Sequence, residues 1–198
     1  MATTDEVYRR LREYRDELTL PSGFAWPEIS AGQILMMMSP STAHDFNAIR
    51  LRRQLDVQLT AGLLAATTGD VEDIGHGVLR RPDVFVYPEA EFEAAAERGD
   101  AALDPHAILL AIEIVSPSNP ENDYEGKMRD YPAMGIPHYL IVDPRNGTCV
   151  HHWAISVKNG VPTYEGTAPY VFGDKITIAE WTLDTGELRR YKKAAASG

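Results

Sequence analysis

One cysteine, Cys149, is all the thiol that this 198-residue sequence holds, so an internal disulfide framework is excluded. No run of about 18 apolar residues occurs, and no charged-then-apolar leader opens the chain. Neither a membrane partner nor export is expected, and a reducing cytoplasm is the compartment that fits. Basic residues are also scarce. Against 29 Asp and Glu stand 19 Lys and Arg, a net charge of -10, which argues against a protein that coats nucleic acid with a broad basic surface. Internal repeats, low-complexity segments and a clear linker are lacking as well. With 44% hydrophobic residues the chain can build one core, and a single domain over residues 1–198 is expected.

The residues that are present alternate between helical and strand patterns. Thr3 and Glu6 are spaced as a capping box ahead of Val7, Leu11, Tyr14 and Leu18, so residues 1–20 are expected to carry an amphipathic helix packed on the body. Glu28-Ile29-Ser30 and Gln33 to Met38 flank a turn at Ala31-Gly32, with Met36, Met37 and Met38 expected as core filler rather than as a soft-metal site. Ser41 or Thr42 caps a second helix, whose buried face runs through His44, Ala48, Leu51, Leu55 and Leu59. Val84 to Tyr87 is a short strand, Glu89 to Arg98 an exposed excursion, and Ala107 to Val115 a central strand covered on both sides. A loop at 116–120, a helix from about Asn122 to Tyr131 and a strand from His138 to Asp143 make a parallel crossover. Asn146-Gly147 and Asn159-Gly160 then signal antiparallel hairpins, and residues 190–198 a flexible tail. The fold class is α/β (α+β mixed): a mixed sheet flanked by helices.

Glu113 is the most informative residue, because it interrupts a strand that otherwise excludes water. A carboxylate there needs a cation, a metal or a strand-end cleft. Asp83 follows Pro82 at the start of another core strand, and two acids at neighbouring strand ends can converge on one hard cation. Arg50, Arg52 and Arg53, the pair Arg80 and Arg81, and Arg189, Arg190, Lys192 and Lys193 are clusters that could contact phosphate or simply be solvated. His151 and His152 point to opposite faces of one strand and cannot pair on a metal. Cys149 lacks a histidine partner and Ser116 lacks a nucleophile elbow, so covalent catalysis ranks last.

Pro82-Asp83, Glu113-Ile114-Val115-Ser116-Pro117-Ser118, then Asp123, Lys127 and Tyr131, then Gly135-Ile136-Pro137-His138-Tyr139-Leu140-Ile141-Val142-Asp143-Pro144 together resemble the PD-(D/E)XK nuclease superfamily. Within it they are similar to the bacterial Uma-type family of restriction-endonuclease-like proteins, over most of the chain. The resemblance implies a restriction-endonuclease-like mixed sheet and a Mg²⁺ site, with Mn²⁺ as the alternative ion. In that site Asp83, Glu113 and the backbone carbonyl of Ile114 bind metal. The superfamily lysine two residues after the glutamate is replaced here by Val115, and Lys127 is the substitute whose stem can run along the apolar helix face to the site. His44 matches a histidine of the family pattern; the helix N-terminus disfavours its imidazolium, which suits a neutral ligand or hydrogen-bond partner. Glu28 could add a carboxylate, although a surface acid is the simpler reading.

The implied activity is metal-dependent hydrolysis of phosphodiester bonds by a DNA endonuclease, with a homodimer suited to two strands. Two alternatives stay open. One is a noncatalytic nucleic-acid or protein interaction module on the same fold, suggested by Val115. The other is a hydrolase of RNA or small nucleotides.

Overall fold

The computed structural model describes residues 3–67 and 69–192; Lys193 and the rest of the expected tail lie outside the described residues. Helix α1 (Thr4–Glu17) starts at the capping box, with Thr3 and Glu6 satisfying each other's backbone N–H. Its buried face is turned by about one residue from the expected one. Tyr8 is buried, while Val7, Tyr14 and Leu18 are exposed. Polar partners far along the chain set this rotation: Tyr8 donates to Glu72 at 2.5 Å, Arg12 reaches Glu72 at 3.2 Å and Arg15 reaches Asp70 at 2.5 Å.

Strands β1 (Glu28–Ser30) and β2 (Gln33–Leu35) form the first hairpin, shorter than expected because β2 ends before the methionines. Helix α2 (Thr42–Asp56) is capped by Ser41 and buries Ala48, Leu51 and Leu55, as its periodicity requires. Strands β3 (Leu63–Ala66), β4 (Val71–Asp73), β5 (Val78–Arg80) and β6 (Val84–Pro88) follow. The segment expected as an exposed excursion is helix α3 (Glu89–Arg98), closed by Gly99 at φ 71°. Next come the central strand β7 (Leu110–Ile114), helix α4 (Lys127–Ala133) and strand β8 (His138–Asp143). Strands β9 (Thr148–Lys158), β10 (Val161–Val171), β11 (Lys175–Ile178) and β12 (Trp181–Asp184) complete the described strands.

The main sheet has the order β10-β9-β8-β7-β6-β3, with β7 and β8 parallel and the other neighbours antiparallel. A second sheet, β2-β1-β5-β4, and the β11-β12 ribbon lie outside it. Because strand side chains alternate, the main sheet separates two cores. Val84, Val86, Leu110, Ile112 and Ile114 pack with α2, whereas Phe85, Ala111, Val115, Tyr131 and Tyr139 pack on the α4 side. Glu113 shares the parity of Ala111 and Val115, so it points under α4. No helix among the described residues is long and apolar enough to cross a membrane.

The helix expected from Asn122 is irregular in its first turn. Residues Asn122–Gly126 form a π-helical turn, in which the Lys127 N–H donates to the Asn122 carbonyl five residues back. Such widened turns recur at functional sites because they redirect side chains. Here Asn122, Asp123 and Lys127 are all buried.

Candidate active site

Three chain segments meet at the end of the main sheet. The β6–β7 register pairs Val84 with Ile112, so one further step sets Asp83 beside Glu113. Asp83 Oδ2 accepts the Ile114 backbone N–H at 2.7 Å and lies 3.1 Å from His44 Nε2. Its other oxygen, Oδ1, has no hydrogen bond among the described residues. Glu113 is 1% exposed: Tyr131 OH donates to Oε1, and Lys127 Nζ sits 2.6 Å from Oε2. The same ammonium lies 3.1 Å from Asp123 and 3.9 Å from Glu28. The migrated lysine is therefore in contact with Glu113, while Val115 is fully buried in the apolar core.

Asp83, Glu113, Ile114, Lys127, His44 and Glu28, all singled out by sequence, line one cleft of about 890 Å³. Glu28 is no surface acid. It is 2% exposed and accepts from Arg80 at 2.7 Å, from the Arg81 backbone N–H at 3.1 Å and from Asn122 at 3.2 Å. Arg80, proposed among the phosphate contacts, is fully buried; it bridges Glu28 and Asp130 and donates to Asn122 at 2.8 Å. This guanidinium ties β1 and β5 to the π turn and α4, and so fixes the elements that carry Glu28, Asp123 and Lys127. Sequence inspection missed its role, although an arginine closing a strand just before Pro82-Asp83 was a visible signal.

The charge balance is uneven. Burial pushes the Glu113 carboxyl well above its ordinary value; Lys127 opposes this, and the charges of Asp83, Asp123 and Glu28 reinforce it. Burial raises Asp123 as well. Burial would also raise Asp83, but the hydrogen bond and charge of His44 hold it below the usual aspartate range, helped by Lys127 and the Ile114 N–H. Lys127 loses solvation, yet Glu113, Glu28, Asp123 and Asp83 keep it firmly charged. His44 meets two opposing influences. Burial lowers its pKa, but contact with Asp83 outweighs that and raises it.

Lys127 faces Glu113, Asp123 and Glu28, while Arg80 pairs with Glu28 and His44 with Asp83, so carboxylate oxygens gather at one end of the cleft. Hard oxygen donors fit Mg²⁺ or Mn²⁺. Among the described residues no three His, Cys, Asp or Glu side chains already form a metal cage. Lys127 takes the position between the acids, and a carboxylate retains lone pairs for a cation beside it.

The remaining candidates fall away. Burial pushes the Cys149 thiol up to about 12, which keeps it protonated and inert. His151 lies 3.1 Å from His138 and stacks on Trp153, while His152 stacks on Tyr164 across the sheet, in agreement with opposite faces. Met36 and Met38 are not core filler; they are exposed and line the mouth of the cleft.

A family model, Uma2, described as "Putative restriction endonuclease", matches residues 11–168. The chain belongs to the Uma2 family. In this Uma2 protein the match takes in Asp83, Glu113, Asp123, Lys127 and Tyr131. Its fold is similar to a crystal structure from Anabaena variabilis described as a putative nuclease belonging to DUF820, with a TM-score of 0.65 and 15% identity. That likeness covers 94% of this chain and 97% of the other, so the two share a mixed-sheet fold. No curated protein gives a significant match.

Proposed function

We infer that this Uma2 protein is a metal-dependent phosphodiesterase that cleaves DNA, with Mg²⁺ as its cation. The observation that carries the reading is the Lys127 ammonium, held 2.6 Å from the buried Glu113 in a cleft shared with Asp83. An acid pair plus a buried lysine is the equipment of phosphodiester hydrolysis, and the family description and the nuclease title of the structural neighbour point the same way.

In this mechanism Asp83 and Glu113 would hold the cation, with the Ile114 carbonyl as a further donor. When bound, the cation neutralises phosphate charge and lowers the pKa of a water molecule. The protein's own groups do the rest. His44 and the Ile114 N–H occupy Asp83 Oδ2 and so orient the free Oδ1. Tyr131 orients Glu113, and Lys127 donates hydrogen bonds toward the attacking water and the developing phosphate charge. Asp123 and Glu28 keep that ammonium protonated and aimed.

The test is cleavage of single-stranded and duplex DNA in Mg²⁺, Mn²⁺ or EDTA. Cleavage should require the metal and be lost in Asp83→Ala and in Glu113→Ala. Cleavage that persists in EDTA, or in both variants, overturns the proposal.

A further inference from the structure

The mouth of the cleft has a composition that the metal chemistry does not use. Trp26 is 49% exposed, Met38 51% and Met36 37%, in a protein whose other apolar side chains are mostly buried. All three line the same cleft as Asp83 and Glu113. The Arg81 guanidinium lies over the Trp26 ring, 4.7 Å from its centroid. Trp26 also has φ 44°, a left-handed conformation costly for a bulky residue and more so ahead of Pro27. The chain therefore holds an aromatic ring outward against its local preference.

Charge rules out a phosphate-gripping groove as the purpose of this wall. Among the described residues, the arginine and lysine lining the cleft are Arg81 and Lys127; Arg81 is bound to Asp70 at 2.9 Å, and Lys127 to Glu113 and Asp123. Little cationic surface is left for a polyanion, so affinity has to come from the neutral part of the substrate. A planar indole backed by a guanidinium, flanked by adaptable thioethers, suits the face of a nucleobase. Arg81 also donates its backbone N–H to Glu28 at 3.1 Å, which links this wall directly to the acidic centre. A base stacked inside a duplex cannot present its face to such a wall.

We propose that Trp26, Arg81, Met36 and Met38 form a stacking surface for an unpaired nucleobase next to the scissile phosphate. The cleft then takes single-stranded or locally unpaired nucleic acid in preference to continuous duplex. This rests on the phosphodiesterase reading and narrows its substrate.

The test uses the full chain in EDTA, where binding is read without cleavage. The probe is a single-stranded deoxyoligonucleotide of roughly 12 residues, the same oligonucleotide with successive abasic nucleotides, and its blunt duplex. The single strand should quench tryptophan fluorescence, and one abasic position should remove most of the quench. Trp26→Ala should weaken binding by about 5- to 100-fold, and Trp26→Phe should restore most of it. The duplex should bind more weakly than the single strand. Equal binding by Trp26→Ala and wild type overturns the proposal, as does a quench indifferent to abasic sites or a duplex that binds as tightly. A quench that grows with protein concentration alone also overturns it and makes the wall a contact between copies. Mg²⁺-dependent hydrolysis of the same oligonucleotide is scored separately. Hydrolysis without any Trp26 effect refutes the stacking surface alone, and Trp26-dependent binding without hydrolysis refutes the nuclease reading alone.

Discussion

Replacing Lys127 with methionine removes the ammonium but keeps most of its apolar stem. Lys127 is 3% exposed and faces Glu113 at 2.6 Å, Asp123 at 3.1 Å and Glu28 at 3.9 Å. Glu28 keeps Arg80, so the variant leaves Glu113 and Asp123 as the acids without a cation. Removing one partner of a buried pair costs about 3–5 kcal/mol. The lower end is expected, because Glu113 already favours its proton and can take one up. Urea unfolding in EDTA reads this loss. Added Mg²⁺ should then stabilise Lys127→Met more than wild type, since the cation restores the missing positive charge. Turnover should fall on the order of 10²-fold or more, equivalent to about 2.7 kcal/mol of transition-state stabilisation. The kinetics are measured without denaturant, where the variant is folded. Wild-type turnover in Lys127→Met, on a substrate whose cleavage still needs Asp83 and Glu113, would refute the assignment of Lys127 to the chemical step.

Two further outcomes follow from the buried charges. Arg80→Met should lower stability by about 3–5 kcal/mol in urea unfolding, because Glu28 and Asp130 lose their shared cation in a buried site; an unchanged midpoint would contradict the anchoring role. The raised Glu113 pKa makes the folded, metal-free chain hold a proton that the unfolded chain has released. Its contribution to stability should therefore fall as pH rises from the ordinary glutamate value toward the raised one. Glu113→Gln, which still accepts from Tyr131, should flatten that decline in EDTA. A decline with pH that is as steep in Glu113→Gln as in wild type would refute the assignment to Glu113.

Much of the site was legible because its residues violate the pattern around them. Glu113 interrupts an apolar strand, Asp83 follows a proline at a strand start, and Lys127 sits at the edge of a buried helical stripe. The hairpin turns and the cap of α1 were legible because they depend on neighbours within a few positions. Features fixed by distant partners were not. The face of α1 is set by Glu72 and Asp70, roughly 60 positions away, and Glu28 is buried because Arg80, 52 positions on, neutralises it. Counting apolar residues placed the three methionines in the core, but β2 ends at Leu35 and leaves Met36 and Met38 at the cleft mouth. Regular helical spacing had no way to mark the π turn that carries Asp123 inward.

Asp83 and Glu113 are proposed to hold one divalent cation between them. Isothermal titration of Mn²⁺ into metal-free protein counts and weighs that site. One saturable site is predicted, lost or weakened by at least about tenfold in Asp83→Ala and in Glu113→Ala, a change of about 1.4 kcal/mol or more. Wild-type affinity in both variants would mean that these two carboxylates do not hold the ion.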